Sequence, residues 1–446
     1  MTDLRTSLHR VADDVTPLPV ADDLWQRGQS ARRRGNALVV AAVLAIIASV
    51  TWSAVLLGDG DREARTASTP VVPDGAIPSR IEDPGALTAS DDLAVGQASV
   101  AFVAESSDVV VVDAADGRYH ALALPEAPLT GPVRLSPDGI QLAYAYDALG
   151  PEGGPEVEVG VAILDLRSGE VRRVPAISGS GRPVAVSGIG WSSDSAYVAW
   201  SGHGIRVWTD STRELERGGG MLGVIDLSTG LQSTLDSSEG AVSVDGDAAA
   251  TLVTSTRVTS FTSLSSGATR VPLHEQLPAV GSGDRASTSP SGELTAVDDG
   301  SSVSLPFVDG EGDVLRRSLD TELYPDGARV SPLGWAADAL LLAQVDAPAG
   351  SYVEGRHLAL MSSPDRPEST WTYRIVMRDI ADVAELSVAV DLIPDLDGTS
   401  SQQLTHDFGD VLAPDQRDIS WLIGLGVAAA IAVLMGLRWL WRRLLG

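Results

Sequence analysis

Residues 133–175 read VRLSPDGIQLAYAYDALGPEGGPEVEVGVAILDLRSGEVRRVP, and this stretch decides the fold. Ser136-Pro137-Asp138-Gly139 is a tight turn: proline presets φ at the second position, aspartate bonds its own backbone, and glycine closes the turn. A strand-like run, IQLAYAY, follows it. A further apolar run, AILDL, ends in a second turn at Gly169, after which VRRV is again strand-like. One short stretch therefore holds antiparallel strands joined by turns of fixed chemistry.

The pattern recurs along the chain. Trp191-Ser192-Ser193-Asp194-Ser195, Ser243-Val244-Asp245-Gly246-Asp247, Ser289-Pro290-Ser291-Gly292 and Trp335-Ala336-Ala337-Asp338 each precede an apolar run. Aligned on residues 136, 192, 243, 289 and 336, the intervals are 56, 51, 46 and 47 residues. The second turn recurs at Gly117, Gly169, Gly230 and Gly267. Three to four strands in a unit of ~45 residues match one blade of a β-propeller. Five units carry the leading turn, and Ser99–Leu124 holds only the later strands of a sixth. Glu385–Leu392, ELSVAVDL, is the expected closing strand that completes it. The fold class expected is all-β, a six-bladed propeller over residues 93–394, flanked by two transmembrane helices.

LSPDGIQLAYAY followed by AILDLRSGEVRRV resembles the repeat of TolB-like and WD40-like six-bladed propellers, in which an apolar or aromatic residue precedes the Ser-Pro-Asp-Gly turn. The resemblance spans about 300 residues and is strongest over 133–175. The wider arrangement, an arginine-rich stub, a span and an outer propeller, is similar to membrane proteins common in actinobacteria. The resemblance implies binding more than catalysis.

Two segments are apolar enough to cross a membrane. Residues 36–57, NALVVAAVLAIIASVTWSAVLL, carry no charge and at ~1.5 Å per residue cover the ~30 Å hydrocarbon core. Residues 419–437, ISWLIGLGVAAAIAVLMGL, form the second expected span, with Trp421 and Trp439 suited to the interfacial belt. Arg32, Arg33 and Arg34 precede the first span, and Arg438, Arg442 and Arg443 follow the second. Positive charge beside a span is retained in the cytoplasm, so both termini are expected inside and residues 58–418 outside, at the cell membrane. The expected organisation is a stub (1–35), a span (36–57), a linker (58–92), the propeller (93–394), a linker (395–418), a span (419–437) and a tail (438–446).

Composition narrows the function. The chain has 446 residues and a formal charge of −28, its 32 basic residues are all arginine, and it has no cysteine. Residues 58–418 hold 23 arginines and 55 acids. Such a balance argues against nucleic acid as a partner. The absence of cysteine excludes disulfides, thiolate metal sites and thiol nucleophiles. His120, His203, His274, His357 and His406 show no metal-binding spacing, and no Gly-x-Ser-x-Gly elbow, phosphate loop or dinucleotide fingerprint is present. Asp245-Gly246-Asp247 and Asp395-Leu396-Asp397-Gly398 lack the later ligand of a calcium loop. No cofactor, metal or catalytic residue is expected.

Two insertions stand out, at 147–160 and 202–220. The second holds His203, Arg206, Trp208, Arg213 and Arg217, an aromatic and basic cluster in an acidic domain, and is the candidate binding loop. The sequence thus reads as a non-enzymatic, membrane-anchored propeller that binds an extracytoplasmic protein, peptide or envelope component. Two alternatives stand beside it: a transmembrane regulator whose stub binds a cytoplasmic factor such as an extracytoplasmic-function sigma factor, and a propeller hydrolase or lyase.

Overall fold

The Ser-Pro-Asp-Gly turn is built as its residues dictate. Ser136 Oγ donates to Asp138 Oδ1 and accepts from Gln141 N at 2.9 Å, while Ile140 N donates to Asp138 Oδ1 at 3.0 Å. Gly139 has φ +73°, and a Cβ there would lie 2.1 Å from the Ala98 carbonyl oxygen, so both conformation and space demand glycine. The structure, a computed structural model, describes residues 71–409 apart from 86, 129–130, 150–156, 208–212, 239, 263–266, 279, 282 and 338.

Among the described residues twenty-four strands form six four-stranded antiparallel sheets. Blade 1 comprises β1 (Ala98–Val103), β2 (Val109–Asp113) and β3 (Tyr119–Leu122), and blade 2 comprises β4 (Val133–Leu135), β5 (Gln141–Leu149), β6 (Val157–Asp165) and β7 (Val171–Pro175). Blade 3 holds β8 (Val184–Trp191), β9 (Tyr197–Val207), β10 (Arg213–Asp226) and β11 (Gln232–Ser237). Blade 4 holds β12 (Ala241–Val244), β13 (Ala249–Thr254), β14 (Arg257–Thr262) and β15 (Ala268–Pro272). Blade 5 runs through β16 (Ala286–Thr288), β17 (Leu294–Val297), β18 (Ser304–Asp309) and β19 (Val314–Ser318). Blade 6 runs through β20 (Arg329–Ala337), β21 (Leu340–Ala347), β22 (Gly355–Ser362) and β23 (Tyr373–Met377). The last strand, β24 (Ala384–Val388), returns to blade 1 and pairs antiparallel with β1, Val100 opposite Val388. The expected closing strand is thus present, and the chain closes its own ring.

The first strands of successive blades, β24, β4, β8, β12, β16 and β20, neighbour one another in turn and surround the axis. Since adjacent strands are antiparallel, the first-to-second and third-to-fourth turns of every blade lie on one face of the ring. We call this the turn face. Asp138 N donates to Ser195 Oγ at 3.4 Å, Gly246 lies against Asp194, and Gly292 lies against Asp245, so these turns touch from blade to blade. The opposite face carries the hairpins joining second to third strands and the starts of the inner strands. We call it the hairpin face.

Three details differ from the sequence reading. The blade 4 turn begins at Asp245, not Ser243: Ser243 is buried in β12 and shares a 2.6 Å hydrogen bond with Thr288, while Asp245 Oδ1 accepts from Asp247 N and Ala249 N at 2.9 Å. The insertions at 147–160 and 202–220 are extensions of hairpin strands, since β5 pairs with β6 out to Leu149–Val157 and β9 with β10 out to Val207–Arg213. The linkers are docked over part of their length. Ile77 and Ile81 are fully buried with Leu404 and Ile393 in one core cluster, because isoleucines four apart offer apolar area that an exposed tether would leave in water. Val72 N donates to Ala115 O at 2.8 Å and Phe408 packs on Gly117, so both connectors reach the same turn between β2 and β3 on the turn face.

Among the described residues no helix is long and apolar enough to cross a membrane. Both expected spans, with Arg32, Arg33, Arg34, Trp421, Arg438, Trp439, Arg442 and Arg443, lie outside the described residues.

Candidate functional site

The inner strands must approach closely to close a six-membered ring. Gly190 makes this possible between blades 3 and 4, where a Cβ would lie 2.9 Å from the Val242 carbonyl oxygen. A narrow channel remains along the axis, partly enclosed and open to solvent. Its walls come from β4, β8, β16, β20 and β24, and Trp191 and Trp335 face it from blades 3 and 6, on opposite sides of the ring.

Both indoles staple one blade to the blade before it. Trp191 Nε1 donates to Arg134 O, and Trp335 Nε1 donates to Ser287 O, each at 3.0 Å. Ser387 Oγ accepts from Leu135 N at 3.0 Å, fixing β24 to β4. Thr288 Oγ1 links Ser243 Oγ at 2.6 Å to Thr295 Oγ1 at 2.9 Å. These polar groups are committed to holding the ring, while Arg134 and Arg285 keep the channel wall polar as well as apolar.

Charge gathers at the hairpin-face mouth. Arg134 donates to Val133 O at 2.8 Å and to the Glu385 carboxylate, and Arg285 donates to the carbonyl of Leu386. Arg329 pairs with Asp298 at 3.1 Å, and Ser331 Oγ donates to the same carboxylate. Arg356 bridges Asp346 at 2.8 Å and Asp382 at 2.9 Å and donates to Val383 O at 2.6 Å. Glu385 sits at φ 52°, a left-handed conformation costly for a residue with a Cβ, held where the chain turns into β24.

Burial, then the like charge of Arg134, push the Arg285 guanidinium down to about 9, with Glu385 and Asp298 pulling the other way. Burial raises the Glu385 carboxyl, but Arg134 and Arg285 outweigh it and hold the group below the ordinary carboxylate range. The hydrogen bond and charge of Asp298 raise Arg329 further.

A second polar cluster lies inside blade 6. His357, fully buried, meets Tyr324 Oη through Nε2 at 2.8 Å and Gly355 O through Nδ1 at 3.2 Å, and Tyr324 Oη meets Tyr373 Oη at 2.6 Å. Burial lowers the His357 pKa, so the ring is neutral, with Nδ1–H donating and Nε2 accepting. This cluster ties the segment before β20 to the blade. Among the described residues no group of three or more His, Asp or Glu side chains is placed to hold a metal.

The structure places His203 and Arg206 on β9 and Arg213 and Arg217 on β10, along one long hairpin of blade 3. Arg206 is in register with Glu214, and His203 with Gly220. Trp208 lies outside the described residues. This hairpin and the β5–β6 hairpin of blade 2 both belong to the hairpin face. The arginines at the mouth escaped the sequence reading: Arg134, Arg285 and Glu385 lie 151 and 100 residues apart and meet only through ring closure. Glu385 stood within the predicted closing strand, but nothing in a single sequence marks its partners.

No protein-family model matches the chain, and no curated protein matches it in sequence. Among solved structures it is similar to a streptogramin B lyase, at 14% identity and TM-score 0.37 over 68% of this chain and 85% of that one. It is also similar to a Mycobacterium tuberculosis puromycin-hydrolyzing peptidase, at 14% identity and TM-score 0.38 over 65% of this chain and 46% of that one. A third is the β-propeller domain of Cps50 (Swd1) from Myceliophteria thermophila, at 12% identity and TM-score 0.32 over 55% and 71%. These neighbours include enzymes and non-enzymatic propellers, and likeness at this level concerns the fold alone.

Proposed function

We propose that this chain is a non-enzymatic, membrane-anchored binding protein whose propeller stands outside the cell and receives an extracytoplasmic protein, peptide or envelope component on its hairpin face. The observation that carries the reading is the division of labour between the two faces. Both connectors reach the β2–β3 turn on the turn face, through Val72 and Phe408. The long hairpins of blades 2 and 3 and the arginine-lined mouth occupy the other face.

A chain with spans at 36–57 and 419–437 needs its two connectors to leave the propeller together, and they do. Residues 410–418, at ~3.5 Å each, keep Phe408 within roughly 30 Å of the bilayer, so the hairpin face points outward. Binding rather than catalysis is supported by the mouth's chemistry: its hydroxyls and indoles hold neighbouring blades, and its guanidiniums are recognition groups. The resemblance of the Ser-Pro-Asp-Gly repeat to TolB-like propellers, and of the stub, span and outer propeller to membrane proteins common in actinobacteria, supports this role.

The test is photo-crosslinking in native membranes. A crosslinker at Glu354, in the β21–β22 hairpin, or at Trp208 is expected to capture extracytoplasmic partners, and one at Ser168 on the turn face is not. Replacing Arg206, Trp208 and Arg213 by alanine is expected to abolish capture. Capture only from Ser168, or capture unchanged in the triple variant, contradicts the reading.

A further inference from the structure

We propose that the mouth of the axial channel is a carboxylate-binding site in which Arg285 receives an acidic group entering from the hairpin face. This inference rests on the reading of the propeller as a binding protein and names the chemistry that it binds.

The argument starts from how the arginines of this face are spent. Arg134 is paired with Glu385, Arg329 with Asp298, and Arg356 with Asp346 and Asp382. Arg285 differs. Its guanidinium makes one hydrogen bond among the described residues, to the carbonyl of Leu386, and no described carboxylate lies within ion-pair distance of it. A guanidinium has five N–H donors in a planar fork matched to two carboxylate oxygens. Most of that fork therefore faces the channel with its capacity unused, inside a partly enclosed space where a charge-assisted bond is strengthened by poor screening. Arg134 brings a second guanidinium to the same rim, its charge offset by Glu385.

The walls complete the description. Trp191 and Trp335 stand across the axis from one another with both N–H groups already used. They offer a ligand ring faces and edges rather than further hydrogen bonds. The enclosed part of the space is small, so it suits the carboxylate end of a ligand and not a helix. A carboxylate can come from either source: an aspartate, glutamate or chain terminus of a partner, or a free acid.

The experiment uses the full chain in lipid nanodiscs and ligand-observed saturation-transfer NMR. Two probe pairs are titrated: acetyl-Gly-Glu-Gly-amide against acetyl-Gly-Gln-Gly-amide, and benzoate against benzamide. At least tenfold preference for the carboxylate member of a pair is expected, and the pair that shows it identifies the source. Arg285→Gln is expected to remove the preference. Glu385→Gln, which deletes the competing carboxylate, is expected to increase it several-fold. Ala286→Leu, which adds bulk at the channel wall beside the arginine without changing charge, is expected to weaken both members of the preferred pair and guards against an Arg285→Gln variant that fails to fold. Equal affinity within both pairs, or a preference unchanged by Arg285→Gln, overturns the inference. If crosslinks from Glu354 persist while the carboxylate preference is absent, this inference fails and the broader reading stands. If crosslinks come from the turn face alone, the broader reading fails.

Discussion

Replacing Glu385 by glutamine tests whether ring closure depends on charge as well as on strand pairing. Glu385 is the second residue of β24, carries φ 52°, and is the carboxylate bonded by Arg134 beside Arg285. Removing one partner of a fully buried ion pair costs about 3–5 kcal/mol. The Glu385 side chain is 34% exposed and that of Arg134 only 13%, so solvent screens part of the loss. A destabilisation of about 1.5–2.5 kcal/mol is expected, which for a domain of this size lowers the melting midpoint by roughly 2–4 °C. The assay is thermal and guanidinium unfolding of the full chain, followed by tryptophan fluorescence, from pH 7 down to pH 3. The sign of the pH effect follows from the lowered carboxyl pKa. The unfolded chain takes up the proton first as pH falls, so the Glu385 contribution is complete above the ordinary carboxylate range and is lost as pH falls through the folded value. The gap between native protein and variant is therefore expected to close in acid. Equal midpoints at pH 7, or a gap that persists undiminished at pH 3, refutes the reasoning.

Other perturbations probe separate links. Gly139→Ala adds a Cβ to a positive-φ residue 2.1 Å from a carbonyl oxygen, and a loss of at least ~2 kcal/mol in chemical unfolding is expected. Ile77→Ala with Ile81→Ala removes two fully buried side chains from the docked connector; limited proteolysis is expected to cut residues 71–92 many-fold faster, with propeller unfolding changed far less. His357 is held neutral by burial, so its share of stability is complete above about pH 6.5 and declines as pH falls below it, because the unfolded chain protonates first. His357→Phe is expected to flatten the stability profile between pH 5 and 7, whereas an unchanged slope contradicts the role given to this ring.

The ring itself was legible because turn chemistry is local. Ser136, Asp138 and Gly139 fix a turn whoever their neighbours are, and the repeated Asp-to-Gly turn, seen in Asp165 Oδ1 accepting from Arg167 N and Ser168 N at 2.9 Å, is equally self-contained. The closing strand was legible because blade 1 lacked a first strand and the C-terminal run supplied one. Reading failed where one residue can do another's work. Asp245 alone replaces the Ser136 and Asp138 pair, which shifted the blade 4 turn by two residues, and Ser195 occupies the left-handed position at φ 58° without being glycine. The length of 202–220 beside the short connections of other blades suggested a loop, yet its described residues pair as hairpin strands because β-pairing needs no side-chain pattern. The docked connector was missed because two isoleucines in a proline-rich stretch show no periodicity. The channel mouth was out of reach because its arginines come from three blades and converge only through closure.

The central claim is that the turn face is held toward a membrane while the hairpin face looks away. The chain has no cysteine, so single-cysteine variants label cleanly. A donor dye at Asp116→Cys on the turn face or at Glu354→Cys on the hairpin face, with acceptor-labelled lipids in nanodiscs holding the full chain, measures each face's height by energy transfer. The account predicts strong transfer from position 116 and clearly weaker transfer from position 354. Stronger transfer from position 354, or none from either, contradicts it.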